Sequence, residues 1–133
     1  MRQLRVGHLL FGFLDYIGYT HGVALVLIAL GSNVGNSLSH LQEATRRLSE
    51  IFTCLATSAV YETEPMYVED QPAFLNAAIL VHSEEGPLAI LHTLKRLERE
   101  IGRQKRDLNG PREIDLDLIA FGSLTYRYFD GER

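Results

Sequence analysis

Cys54 is the only cysteine in the 133 residues, so no intrachain disulfide can form, and a reducing compartment, the cytoplasm, is expected. A small buried apolar role suits a lone thiol of this kind. Long apolar runs are also missing. Leu9 to Leu14 follows a basic start, as in a signal peptide, but Asp15 ends the run, and Asp15, Tyr19 and His21 break any span that would reach Val23 to Leu30. No membrane partner is therefore expected, and residues 1–22 read as an extension outside the fold. The five histidines (His8, His21, His40, His82, His92) show no metal-ligand spacing. Neither a Gly-x-Ser-x-Gly elbow nor a cysteine motif offers a nucleophile. Repeats and low-complexity segments are absent.

Excess positive charge is lacking too. The net charge of -4 argues against a general nucleic-acid partner. A ferredoxin-like RNA-binding module would need aromatics on its central strands, and Val23 to Leu30 carries none. The charge is uneven, however. From Lys95 to Arg112 the segment is +4, which leaves the rest at -8. A basic patch beside acidic residues suits a phosphate ester better than a nucleic-acid strand.

What is present fits one globular domain with average apolar and charged content. Val23 to Leu30 is an unbroken aliphatic run, predicted as a strand buried on both faces. The cluster Gly31-Ser32-Asn33-Val34-Gly35-Asn36 reads as a turn with close backbone approach that also caps the next element. It lacks the Walker lysine and the dinucleotide spacing. Leu38, Leu41, Leu48 and Phe52 recur at helical spacing, predicting a helix over about 37–51. A second strand is expected over Thr57 to Thr63, and a Pro-broken loop comes after it. The third strand is expected over Phe74 to Val81. Gly86-Pro87 opens a second helix with the stripe Leu88, Leu91, Leu94, Leu97 and Ile101, which Gly102 ends. A fourth strand carries Asp115 and Asp117, with a Gly122-Ser123 turn into Leu124-Thr125-Tyr126. The order β-α-β-β-α-β is that of a ferredoxin-like α+β sandwich, with helices on one face of a mostly antiparallel sheet. The core domain is placed at 23–126, with a short tail at 127–133.

The chemistry concentrates in Gly110-Pro111-Arg112-Glu113-Ile114-Asp115-Leu116-Asp117-Leu118. Ile114, Leu116 and Leu118 alternate with the two acids, so period two puts both carboxylates on one face. They stand roughly 7 Å apart along the backbone. At an effective dielectric near 20 they repel by about 2 kcal/mol, a term that hard cations between them would reverse. Mg²⁺ suits that position, because it takes one or two carboxylates and fills its shell with water and phosphate oxygens. Arg112 is placed as a phosphate clamp. Phe74 and Asn76 share a strand face, where one can stack on a flat heterocycle and the other can hydrogen-bond it.

These motifs together resemble the 6-hydroxymethyl-7,8-dihydropterin pyrophosphokinase family of folate biosynthesis. The resemblance rests on Gly31-Ser32-Asn33, Tyr61-x-Thr63-x-Pro65, Asp70-Gln71-Pro72-x-Phe74-Leu75-Asn76-Ala77, Leu97-Glu98-x-x-x-Gly102-Arg103 and Gly110-Pro111-Arg112-x-Ile114-Asp115-Leu116-Asp117. It implies transfer of the β,γ-pyrophosphoryl group of ATP to the hydroxymethyl oxygen of the pterin, with release of AMP. By the same resemblance Asp115 and Asp117 would hold two Mg²⁺ ions, and Arg103 and Arg112 would bind phosphates and stabilise transition-state charge. Glu98 would serve the nucleotide side, Asn76 and Phe74 would bind the pterin, and backbone around Thr63 and Met66 would line its pocket. Family members carry a Pro-His stretch, an arginine and a second aromatic after the Asp strand. No Pro-His occurs after Asp117 here. A partner chain or a missing segment is therefore expected to complete the site, and a non-catalytic remnant that still binds pterin or nucleotide stands as the alternative.

Overall fold

A computed structural model describes residues 23–65, 70–104, 110–122 and 124–125. The expected extension (1–22), the tail (127–133), Met66, Lys105 and Arg106 lie outside them. The elements are β1 (Ala24–Ser32), α1 (Ser37–Ile51), β2 (Thr53–Thr57), β3 (Tyr61–Thr63), β4 (Phe74–Ser83), α2 (Pro87–Ile101), β5 (Asp115–Phe121) and β6 (Leu124–Thr125). The strands form one sheet in the order β2-β4-β1-β5-β6, with β3 also pairing β4. Every one of these pairings is antiparallel. This is the ferredoxin-like α+β sandwich expected from the element order.

Period two divides β1, β4 and β5 as far as Leu118. Val26, Ile28 and Leu30 of β1, Ile79 and Val81 of β4, and Leu116 and Leu118 of β5 pack with Leu41, Ala44 and Leu48 of α1 and Ile90, Leu94 and Leu97 of α2. That is the main core. The alternate residues Leu25, Leu27 and Leu80 form a smaller apolar cluster on the other face together with Ala120, which the register shift opposite Leu27 and Ile28 brings to that side. All nine residues of β1 are buried, as its unbroken aliphatic run requires. The helix boundaries reflect local chemistry. Asn36 Oδ1 accepts from the Ser39 amide at 3.1 Å to cap α1, and Pro87 opens α2 where its missing N–H costs nothing.

Three expectations need correction. The second strand is not one run over 57–63 but two, β2 and β3, both paired with β4. Ser58 makes the break. Its amide donates to Ala78 O and its Oγ accepts from Ala78 N, each at 2.8 Å, so a side chain replaces one step of the ladder. Gly31 and Ser32 continue β1 instead of starting the turn, because β4 runs far enough to pair them with Asn76 and Leu75. Leu38 and Leu88, both counted at helical spacing with the core leucines, are exposed. Each sits in the first turn of its helix, and burial begins further in, at Leu41 and Ile90.

Candidate active site

One row across the sheet carries the chemistry. Tyr61 on β3 pairs Asn76 on β4, Asn76 pairs Gly31 on β1, and Gly31 pairs Asp115 on β5. Asp117 stands two residues on, opposite Ala29. Leu116, between the two acids, belongs to the core under the helices, so both carboxylates belong to the helix-free face, as the alternation predicted. Thr63, Phe74 and Asn76 share that face from the other side of Gly31.

Glycine at 31 is a spatial requirement. A Cβ there would stand 3.1 Å from Asn76 Oδ1 and 3.9 Å from Phe74 Cδ1. The Asn76 amide donates to Thr63 Oγ1 at 2.6 Å, which fixes the plane of a buried carboxamide. One amide, one ring and a bare stretch of backbone therefore border the same small region.

The charged half of the site is built around Asp115. Its Oδ1 meets Arg103 Nη1 at 3.2 Å and its Oδ2 meets Arg112 Nη1 at 3.1 Å. Arg103 arrives there through the end of α2. Gly102, at φ 118°, adopts the left-handed conformation that ends the helix. The Gly102 amide then donates to Arg99 O at 3.2 Å and the Arg103 amide to Glu98 O at 2.9 Å. The Glu98 side chain holds the other end of the same residue, with Oε1 2.9 Å from Arg103 Nη1 and 3.4 Å from Lys95 Nζ. Its Oε2 accepts from the Leu116 amide at 2.7 Å. Glu98 is only 3% exposed. Burial pushes its carboxyl above the ordinary value of 4.5, against the opposing pull of the Leu116 amide, Arg103 and Lys95. Glu98 thus anchors both Arg103 and the β5 backbone.

Arg112 is set by a residue that the pattern treated only as part of a turn. The Asn33 amide donates to Arg112 O at 3.0 Å, and Asn33 Oδ1 accepts from Arg112 N at 2.7 Å. Asn33 Nδ2 donates to Gln71 Oε1 at 2.9 Å and to Pro72 O at 3.0 Å. Glu113, also buried, accepts from the Gln104 amide at 3.1 Å and ties the exit of α2 to the turn before β5. Neither role has a local signal. An asparagine directly after a fully buried strand was the one available hint.

The donor set on this face suits a hard divalent cation. Among the described residues no group of three or more His, Cys, Asp or Glu forms a metal cluster. Two carboxylates with the remaining positions left to water and phosphate is the Mg²⁺ pattern, whereas tetrahedral zinc in a structural site takes four nitrogen or sulfur ligands. Arginines that meet a carboxylate can turn the same planar N–H pairs to phosphate oxygens.

Fold and face together define a ferredoxin-like α+β protein whose central strands present carboxylates, arginines and a buried amide on the side away from the helices. Comparison with known proteins is specific. The family model described as 7,8-dihydro-6-hydroxymethylpterin-pyrophosphokinase matches residues 27–127, and the chain belongs to that family. The folate synthesis bifunctional protein of Arabidopsis thaliana is 46% identical over 99 residues, covering 73% of this chain and 20% of the relative. A second Arabidopsis thaliana relative, the mitochondrial folate synthesis bifunctional protein, is 43% identical over 100 residues, covering 74% of this chain and 18% of that relative. The 2-amino-4-hydroxy-6-hydroxymethyldihydropteridine pyrophosphokinase of Aquifex aeolicus is 36% identical over 99 residues, covering 74% of this chain and 62% of the relative. The chain thus spans about a fifth of the length of these plant relatives.

Proposed function

We propose that this chain carries the pyrophosphoryl-transfer centre of a 6-hydroxymethyl-7,8-dihydropterin pyrophosphokinase, taking the terminal diphosphate of ATP to the pterin hydroxymethyl group and releasing AMP. The observation that carries this reading is Asp115 held between Arg103 and Arg112, on the sheet face that also bears Asn76, Thr63 and Phe74. The names of the relatives supply the substrate. Asp115 and Asp117 would hold magnesium, two ions by the family resemblance. Bound magnesium supplies charge neutralisation along the triphosphate and lowers the cost of bringing a hydroxyl oxygen up to a phosphorus.

The chain's own residues do the rest. Arg103 and Arg112 exchange carboxylate partners for phosphate oxygens as charge spreads in the transition state, and their preorganisation by Glu98 and by Asn33 keeps that exchange cheap. Asn76, its amide fixed by Thr63, hydrogen-bonds the pterin edge. Phe74 covers one ring face, and Gly31 leaves room for the ring to approach the backbone. By the family resemblance, backbone around Thr63 and Met66 would line the pterin pocket; Met66 lies outside the described residues. The hydroxymethyl oxygen attacks the β-phosphorus as the bond to the α-phosphate oxygen breaks and its proton passes to solvent, so AMP leaves and no covalent enzyme intermediate is needed. A partner chain or further segment would supply the adenine side. The cytoplasm is the proposed setting. Among the described residues no helix is long and apolar enough to cross a membrane. The name of one relative includes the mitochondrion, so cell fractionation is the check.

The deciding experiment gives the purified 133-residue chain MgATP and 6-hydroxymethyl-7,8-dihydropterin and measures AMP, with Asp115→Asn as control. AMP that requires both the pterin and Asp115 is the expected result. Binding of both ligands without AMP would mark a binding remnant, and binding of neither would end this reading.

A further inference from the structure

Asn33 is buried, at 2% exposure, yet every polar atom of its side chain is used. Its bonds reach 38 and 39 residues forward to Gln71 and Pro72, and 79 residues forward to Arg112. The orientation of the carboxamide is fixed by chemistry. The Arg112 backbone N–H can only donate, so it faces Oδ1, and the Pro72 carbonyl can only accept, so it faces Nδ2. The two targets stand at opposite sides of the proposed site. Pro72 leads into Phe74 and Asn76, and Arg112 leads into Asp115.

We infer that Asn33 is a positioning residue that sets the pterin-side loop and the arginine turn against one another, its oxygen serving the phosphate side and its nitrogen the pterin side. The inference rests on the functional reading above and deepens it. Because the two duties fall on different atoms of one side chain, they are separable by substitution. Asn33→Ala removes both. Asn33→Asp keeps an oxygen for the Arg112 amide but presents a second oxygen to Pro72 O, which can only accept, while Gln71 can turn its amide to donate. Gln71→Leu removes one nitrogen-side partner and leaves the Arg112 contact untouched.

The test measures dissociation constants for 6-hydroxymethyl-7,8-dihydropterin and for a non-hydrolysable ATP analogue with Mg²⁺, together with kcat and each KM. All are read well below each variant's melting temperature. A misplacement of about 1 Å in a transfer site can cost about a hundredfold, so a smaller shift sets a scale of about tenfold here. Asn33→Ala should weaken both ligands by about tenfold and lower kcat. Asn33→Asp should weaken the pterin by a similar factor and hold the analogue within about twofold. Gln71→Leu should move in the same direction as Asn33→Asp, and it carries the test if the aspartate variant fails to fold.

A folded Asn33→Ala with both affinities unchanged would overturn the inference. So would equal losses on both sides in the alanine and aspartate variants. A parent chain that binds neither ligand would strike at the functional reading instead. Hydrogen exchange at the Arg112 amide then decides the role of Asn33 separately. That amide should be protected in the parent and in Asn33→Asp and should exchange fast in Asn33→Ala, and equal protection in all three would refute the positioning role.

Discussion

Gly31 and Asn76 lie opposite one another on β1 and β4, so closely that a Cβ on Gly31 would come within 3.1 Å of Asn76 Oδ1. In most strand interiors a glycine is a weakness, and alanine gains roughly 0.5–1 kcal/mol by propensity. Here that gain meets a contact that must give by a few tenths of an ångström, and Asn76 is already held by Thr63. Gly31→Ala should therefore leave the melting temperature nearly unchanged while weakening pterin binding by about tenfold, with nucleotide affinity preserved. Titration of both ligands against the variant checks this. A variant that binds pterin as the parent does would show that the space above Gly31 is not used.

The two arginines on Asp115 should separate in stability and agree in activity. Arg103 also neutralises Glu98, which is 3% exposed, whereas Arg112 pairs with Asp115. Removing Arg103 leaves a buried carboxylate with Lys95 at 3.4 Å and the Leu116 amide. Breaking a buried pair costs about 3–5 kcal/mol, and those remaining partners reduce the loss for Arg103→Ala to about 2 kcal/mol. Arg112→Ala should cost about 1 kcal/mol, since Asp115 keeps Arg103. Both should lower AMP formation by orders of magnitude if they bind phosphates. Denaturant unfolding of the two variants, beside the transfer assay, tests the separation. Equal stability losses would mean that Glu98 does not depend on Arg103.

Much of this site is legible in the sequence. The Asp-x-Asp alternation alone places both acids on the face away from the helices, because side-chain direction in a strand is set by sequence position and the apolar partners Ile114, Leu116 and Leu118 leave no choice. Gly102 likewise announces the helix end that delivers Arg103. Relations with no local signature escape such a reading. Asn33 gives no sign of Arg112, 79 residues away. Strand β2 escapes because Thr53, Leu55, Ala56 and Thr57 are all exposed, so no buried face imposes alternation on it. Leu38 and Leu88 fit a helical stripe in sequence, yet they sit in first turns, ahead of the burial that begins at Leu41 and Ile90.

The break at Ser58 gives a stability prediction independent of ligands. Its hydroxyl accepts the Ala78 amide at 2.8 Å, where a continuous strand would offer a carbonyl. Ser58→Ala leaves that half-buried donor without its partner and should cost about 1–2 kcal/mol. Pterin and nucleotide affinities should be unaffected, since Ala78 lies two residues along β4 from Asn76. Chemical denaturation with ligand titration is sufficient. A change in pterin affinity would show that the split between β2 and β3 is coupled to the site.

Glu98 carries the pH dependence. Burial raises its carboxyl above 4.5, so the folded state holds this proton more tightly than the unfolded state does. For such a group the contribution to stability is fully present below 4.5 and is lost as pH rises through the raised folded value. Glu98→Gln has no proton to lose and keeps an oxygen for the Leu116 amide. The stability of the variant minus that of the parent should therefore be flat below pH 4.5, rise with pH across the window up to the raised value, and level off above it. The variant should still transfer poorly at every pH, because Arg103 has lost the oxygen that fixed it. Urea unfolding from pH 4 to pH 8 reads the first effect. A difference that is flat or falls with pH would mean that the Leu116 amide, Arg103 and Lys95 together outweigh burial and hold Glu98 ionised.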